Sequence, residues 1–251
     1  AENDYWLGGF VWTGFDYRGE PTPYKWPNIS SHFGILDVCG FPKNIYYYYK
    51  SWWTNEDILH ISPHWNWPEK LGKPIDVWVN TNADDVELFL NGKSLGKKTM
   101  PRNSHLQWDV SYELGTLEAV AYKNGKKLTS KVETTNHATK VIAVADKSSV
   151  LADGKDGVIV NISIVDDKGR EVPNANNMVY FKLIGDAKII GVGNGDPSSH
   201  EPDKCADGAW QRSAFNGKCQ VIIQAGEMVG DIKLEVRSNG LVSASTSILS
   251  K

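Results

Sequence analysis

The chain has little of what marks several common protein classes. Its only cysteines are Cys39, Cys205 and Cys219, too few for a disulfide scaffold. Cys205 and Cys219 stand where a hairpin could pair them, which spacing alone cannot establish. There is no basic excess: 27 Lys and Arg face 30 Asp and Glu, for a net charge of −3. That balance offers no footprint for nucleic acid and no polybasic patch for a membrane. No apolar run approaches the roughly 20 residues of a membrane helix. No signal peptide opens the chain, but an internal piece of a longer protein would not show one. His60 and His64 are four residues apart, yet in a strand-like stretch with Pro63, so no zinc site is signalled. Gly191-x-Gly193-x-Gly195 lacks the last glycine and the following helix of a dinucleotide fingerprint. Asp153-Gly154-Lys155-Asp156-Gly157 lacks the ligand spacing and closing Glu of a calcium loop and reads as a solvated turn. No cofactor is indicated. Asn28-Ile29-Ser30 and Asn161-Ile162-Ser163 match the glycosylation pattern but read as packed segments.

What the chain does have is tryptophan: ten copies, eight of them before position 79. Aromatics pack cores well, but a bias to one end implies that the two ends do different work. Hydrophobic residues at 41% and charged residues at 23% of 251 positions suit a folded chain of one or two domains.

Three segments follow. Phe10-Val11-Trp12 is continuously apolar and predicts a buried strand, with Gly8, Gly9 and Gly14 marking tight passages. A loop over 16–32 carries Pro21, Pro23 and Pro27, and Phe33 to Asp37 is a short apolar return. Pro42 then opens a helix whose Ile45, Tyr46, Tyr49, Trp52 and Trp53 predict one apolar packing face. About 50 residues of this kind cannot bury their own apolar faces. The middle segment holds short strands around Ile58, Val77, Leu88, Trp108 and Val120. Its Asn91-Gly92 and Asn124-Gly125 are hairpin signals. Five to seven strands in about 80 residues fit an immunoglobulin-like sandwich. From His137 onward the same style repeats, with alternating runs at 158–165, 179–183, 220–224 and 232–236.

The opening stretch, Trp6-Leu7-Gly8-Gly9-Phe10-Val11-Trp12-Thr13-Gly14-Phe15-Asp16-Tyr17-Arg18-Gly19-Glu20, combines flat aromatic faces with carboxylates and a guanidinium, which suits a sugar site. It resembles the eighth strand and following loop of the (β/α)₈ barrel in family 2 glycoside hydrolases, especially the β-galactosidase-like members. The run from Val77 to Lys93 is similar to the sandwich that follows that barrel. Gly191 to Pro197, His200-Glu201-Pro202 and Ala214 to Gly217 are similar to the terminal sandwich of the same enzymes. The resemblance implies a C-terminal piece of a retaining β-glycosidase, beginning just before the last barrel strand. The expected fold is mainly β: two tandem immunoglobulin-like β-sandwiches, at 56–136 and 137–251, preceded by a strand-loop-helix remnant at 1–55. A linker is expected near Asn136-His137-Ala138.

A retaining glycosidase works with two carboxyl groups about 5–5.5 Å apart. In this family both are glutamates, at the ends of barrel strands four and seven. Glu2, Asp4, Asp16, Glu20 and Asp37 match neither motif, so no catalytic residue is assigned and the polypeptide alone is expected to be inert. By the same resemblance Trp12 falls where the family places a tryptophan on the floor of the sugar pocket, with plain core packing as its other possible use. Asp16 and Tyr17, just beyond the strand end, are candidate substrate contacts that loop ordering would use equally well. The family's β-glucuronidases carry an Asn-x-Lys clamp before a Gly-Ile pair. Here Ser31-His32-Phe33 precedes Gly34-Ile35, which favours a neutral sugar, with β-galactoside the default. The implied partners are the carbohydrate substrate and the remaining barrel portion of the same polypeptide, in a periplasmic or extracellular setting. The competing expectation is a non-catalytic carbohydrate-binding or adhesive tandem of immunoglobulin-like domains.

Overall fold

The computed structural model describes residue 5 and residues 7–251; Glu2, Asp4 and Trp6 lie outside them. Among the described residues one α-helix, α1 (Asn44–Trp53), precedes a series of strands, with a short 3₁₀ turn at Pro68–Lys70. The first seven strands are β1 (Leu59–Ser62), β2 (Pro74–Thr81), β3 (Asp85–Leu90), β4 (Lys93–Thr99), β5 (Leu106–Ser111), β6 (Thr116–Lys123) and β7 (Lys126–Glu133). They form an antiparallel sheet β1-β2-β5 facing a second, β4-β3-β6-β7. Alternation decides what lies between them: Val86, Leu88 and Leu90 of β3 turn inward, as do Leu106, Trp108 and Val110 of β5. This two-residue period is the strand's own geometry. Trp65 and Tyr112, both fully buried, close the end of that core, with the Trp65 indole donating to the Glu113 carbonyl at 2.9 Å.

The hairpin signals sit where the turns are. Asn91 and Gly92 have φ of 51° and 80°, and Asn124 and Gly125 have 50° and 79°. This is the left-handed pair that twists a two-residue turn to match its strands. Strands β4 and β7 had no apolar pattern to announce them. Both are mostly exposed edge strands rich in lysine, a composition that discourages further edge pairing.

The remaining strands are β8 (Lys140–Ala145), β9 (Ser149–Val150), β10 (Gly157–Val165), β11 (Met178–Ile184), β12 (Ala187–Gly193), β13 (Gln211–Ser213), β14 (Lys218–Ala225), β15 (Gly230–Ser238) and β16 (Ala244–Ser250). Sheet β12-β14-β10-β8 faces β13-β11-β15-β16-β9 around Val160, Ile162, Ile164, Val221, Ile223, Leu234 and Ile248, all buried. Cys219 is buried in this core on β14 and Cys205 lies in the loop before β13. Both thiols are free, which corrects the hairpin pairing allowed by their spacing. The Cys219 side chain is held inside the sandwich while Cys205 Sγ turns to the Gln211 carbonyl, 3.8 Å away.

The stretch expected to form a strand at Phe10-Val11-Trp12 has no strand structure, and Phe10 and Trp12 are exposed, Trp12 by 74%. A parallel strand exists only between hydrogen-bonding neighbours, and the described residues offer it none. The expected packing face of α1 also needs correction. The helix lies on the first sandwich through Tyr47, Tyr48, Ser51 and Trp52. Ring Tyr47 stacks on His60 at 3.6 Å, the Tyr48 hydroxyl donates to the Asn103 carbonyl, and the Trp52 indole donates to the Ser104 carbonyl. Burial under the helix pushes the His60 imidazole down to about 4, keeping it neutral. Ile45 and Trp53 face outward and are exposed. Trp52 thus packs as the sequence predicts, and the rest of the contact is made by residues beside the expected face.

No sheet continues from β7 into β8. Between them, Thr135 exchanges two hydrogen bonds with Asn66 of the first sandwich, and Asn136 donates to Asp166 and Asp167 of the second. Asp166 is fully buried. Burial would raise its pKa, but the Arg170 side chain and the amides of Asn136 and Arg170 outweigh that and hold the carboxyl well below the usual range.

Truncating Asp166 to Ala strands the Arg170 guanidinium and the amides of Asn136, Lys168 and Arg170. The substitution should cost about 3 kcal/mol in urea denaturation. In the unsubstituted protein the contribution of Asp166 is complete at neutral pH. It starts to fall near pH 4, where the unfolded chain takes up the proton, and is lost as pH drops toward the lower folded pKa. A denaturation series across acidic pH, compared with Asp166→Ala, checks this.

Candidate functional site

Residues 13–43 fold back on themselves without regular secondary structure. The amides of Ile35 and Leu36 donate to the carbonyls of Thr13 and Gly14, and Asp16 N–H donates to Leu36 O at 2.9 Å. Gly34 permits this closeness: a Cβ there would collide with the backbone of Phe15 and Asp16. The return strand expected at 33–37 is therefore two isolated bridges, Phe15 with Leu36 and Leu36 with Pro42.

Of the three residues marked by the sequence, the fold brings two together and turns the third away. Asp16 is 6% exposed. Its Oδ2 meets Lys43 Nζ at 2.5 Å, and its Oδ1 accepts from the Gly34 amide at 2.8 Å and from Ser31 Oγ at 3.4 Å. Its acceptor capacity is spent on ordering the loop. Tyr17 faces the other way. Its hydroxyl hydrogen-bonds to Glu20, which raises the phenol pKa, and the nearby Trp12 indole opposes that rise. Trp12, Tyr17 and Glu20 thus form one open patch, an indole and a phenol edged by a carboxylate, with Phe33 edge-on to Tyr17 at 5.8 Å. Glu20 has a φ of 48°, a conformation that no sequence pattern announces for glutamate.

The loop rests on the second sandwich. The amides of Ile29 and Ser30 donate to the Pro197 carbonyl at 2.9 and 3.1 Å. Arg18 forms a two-pronged contact with Asp203, at 2.9 and 3.0 Å, and reaches Ser199 O. Asp203 also accepts from Arg212, a guanidinium that is 1% exposed. Trp26 lies against His200, whose ring nitrogen is 2.8 Å from the Pro27 carbonyl. The Gly193 and Gly195 positions, which imitate half of a nucleotide motif, are contact points: Cβ atoms there would strike Cys39 and Asp37. Burial raises the pKa of Asp37, whose Oδ1 accepts from the amides of Cys39 and Phe41, and pushes the Cys39 thiol up to about 12. Sequence reasoning missed Arg18, Lys43 and Asp203, whose partners stand up to 185 positions away.

Ser31-His32-Phe33 is packed as well. Ser31 is fully buried, and His32 is hydrogen-bonded to Asn28 and lies against Tyr24. The ammonium of Lys43 is shared between Asp16 and the His32 carbonyl.

Residues 142–247 match the family described as glycoside hydrolase family 2 C-terminal domain 5, and residues 72–129 match a domain of unknown function, DUF4982. A β-galactosidase of Bacteroides ovatus, BoGH2A, is 46% identical over 97% of this chain and 28% of its own length. A putative β-glucuronidase of Formosa agariphila is 41% identical over 87% of this chain and 22% of its own length. The solved structure of a β-glycosidase from Bacteroides vulgatus superposes with a TM-score of 0.87 at 35% identity, covering 94% of this chain and 30% of that one. The chain therefore spans less than a third of the length of each of these relatives.

Replacing Asp16 by Ala leaves Lys43 and the Gly34 amide without their acceptor. The substitution should lower stability by about 2–3 kcal/mol and open 16–40 to limited proteolysis. Tyr17→Phe, which removes only an exposed hydroxyl contact, should leave both readouts unchanged.

Proposed function

We propose that the chain is a C-terminal portion of a glycoside hydrolase family 2 enzyme and that it completes a retaining β-galactosidase. The rest of the barrel, with both catalytic glutamates, lies outside these residues. This portion supplies one edge of the sugar pocket and two accessory sandwiches, divided at about 56 and 137. The observation that carries the proposal is the asymmetry of the first 53 residues. Leu7, Phe10, Trp12, Ile45 and Trp53 are exposed, while the loop between them is pinned residue by residue to the second sandwich. Apolar surface on both sides of an ordered loop is what a barrel edge leaves when its neighbouring strands and helices are absent. An extension evolved to stand alone would bury it.

Trp12 serves as the sugar platform, with Tyr17 and Glu20 at its rim, and Asp16 positions the loop from behind. Stacking on a pyranose holds the reacting ring, so binding energy reaches the transition state. The substrate is neutral. A uronate carboxylate needs an unengaged cation, and Lys43, the ammonium beside Ser31-His32-Phe33, is already neutralised by Asp16. The identity to a β-galactosidase over 97% of the chain supports the same choice.

The polypeptide of residues 1–251 should release no nitrophenol from nitrophenyl β-galactoside, whereas the full-length protein should, with nitrophenyl β-glucuronide a poor substrate. In that full-length protein Trp12→Ala should lower kcat/KM by about 10²-fold, or roughly 2.7 kcal/mol. Trp108→Ala, in a buried position of β5, should instead cost about 3–5 kcal/mol of stability and leave kcat/KM of the folded fraction unchanged. Turnover by the chain alone, or a kinetically silent Trp12→Ala, overturns the proposal.

A further inference from the structure

A second aromatic feature lies on the first sandwich, and its interpretation does not rest on the role of the loop. Asp76, Trp78 and Asn80 alternate along β2 and so share its outer face. Ser62 of β1 sits opposite Trp78. The first half of α1 leans over this face, tied by the hydrogen bond from Tyr48 to Asn103. Between helix and sheet is an open cleft of about 690 Å³, within the size range of small-molecule sites, about 300–1,000 Å³.

The lining is prepared for a polar ligand with a flat apolar face. Trp78 is held in orientation from two directions. Its indole N–H donates to Asp76 Oδ2 at 2.9 Å, and His105 stacks on it at 4.0 Å and 15°. The ring remains 39% exposed. Asn80 and Ser62 are only 3% and 5% exposed and line the cleft. Neither side chain has a hydrogen-bond partner among the described residues. Both side chains open on the same space, where their polar groups are free to bond an occupant of the cleft. The lining contains one carboxylate, Asp76, and no lysine or arginine, so a phosphate or uronate would meet charge of its own sign. A donor–acceptor amide, a hydroxyl and a carboxylate around an indole are the complement of a ring with several hydroxyls and one C–H face.

We infer that this cleft binds a neutral pyranoside, stacked on Trp78 and hydrogen-bonded by Asn80, Ser62 and Asp76. The test is a titration of the chain followed by amide and indole NMR, with methyl β-galactoside, lactose and cellobiose as neutral probes and glucuronate as the anionic one. The Trp78 indole resonance should shift saturably with at least one neutral probe, while the Trp108 indole, in the core, reports an intact fold. Trp78→Ala should weaken binding about tenfold or more, Asn80→Ala should weaken it as well, and Trp53→Ala should not. Trp12→Ala should leave the Trp78 shift in place, which separates failure here from failure of the assignment made for the loop. The same titration of the full-length protein should give the same shift. The inference is overturned by the absence of any saturable shift, which leaves water as the occupant. Undiminished binding in Trp78→Ala, or glucuronate binding as tightly as the neutral probes, overturns it too. So does loss of the site in the full-length protein, which would make the cleft a seam filled by other parts of the chain.

Discussion

A loop without helix or strand keeps one shape only if its backbone and charged groups find partners elsewhere. Residues 13–43 meet that demand twice. Inside the loop, Asp16 gathers Lys43, Ser31 and the Gly34 amide around one buried carboxylate. Outside it, the second sandwich offers the Pro197 carbonyl and the Asp203 carboxylate, itself backed by buried Arg212. Everything proposed for the first 53 residues depends on this double anchorage. Trp12, Tyr17 and Glu20 are open, yet they stand on a base that is not free to wander.

The anchorage also relates the two sandwiches. The helix that follows the loop lies on the first of them, through Tyr47 on His60 and Trp52 on Ser104, while the loop itself lies on the second. The covalent linker is braced by Asn66 on one side and Asp166 on the other. Two independent ties, one covalent and one through the loop, connect bodies that each have their own core. A loop held in this way on rigid sandwiches presents its side chains from a fixed backbone.

Much of this was legible in the residues. The alternation in β3, β5 and β10 and the Asn-Gly pairs at 91–92 and 124–125 announce sandwiches, because period two and left-handed turns are local properties. The edge strands β4 and β7 were only implied by those turns, since each gives the core only one or two apolar side chains, Leu95 in β4 and Leu128 and Val132 in β7. The apolar run at 10–12 predicts a strand and the structure shows none, because the described residues give it no hydrogen-bonding neighbour. Of the expected α1 face of Ile45, Tyr46, Tyr49, Trp52 and Trp53, Trp52 packs while Ile45 and Trp53 are exposed, and the pattern had no means of ranking them.

The sequence by itself determined the class of the fold, the likeness to one group of glycoside hydrolases, and the aromatic bias of the first 78 residues, since composition, spacing and motif order are carried by the chain whatever it touches. Only the tertiary structure decided how those residues divide their work. Asp16 and Tyr17 are adjacent in the chain and point to opposite sides of the loop, one buried on Lys43 and one open beside Trp12 and Glu20. Trp78 and Asn80 read as ordinary strand residues until α1 leaned over their face and made it one wall of a cleft. The reason is the same in both cases: a side chain's role follows from what approaches it, and the groups that approach come from residues far away in sequence.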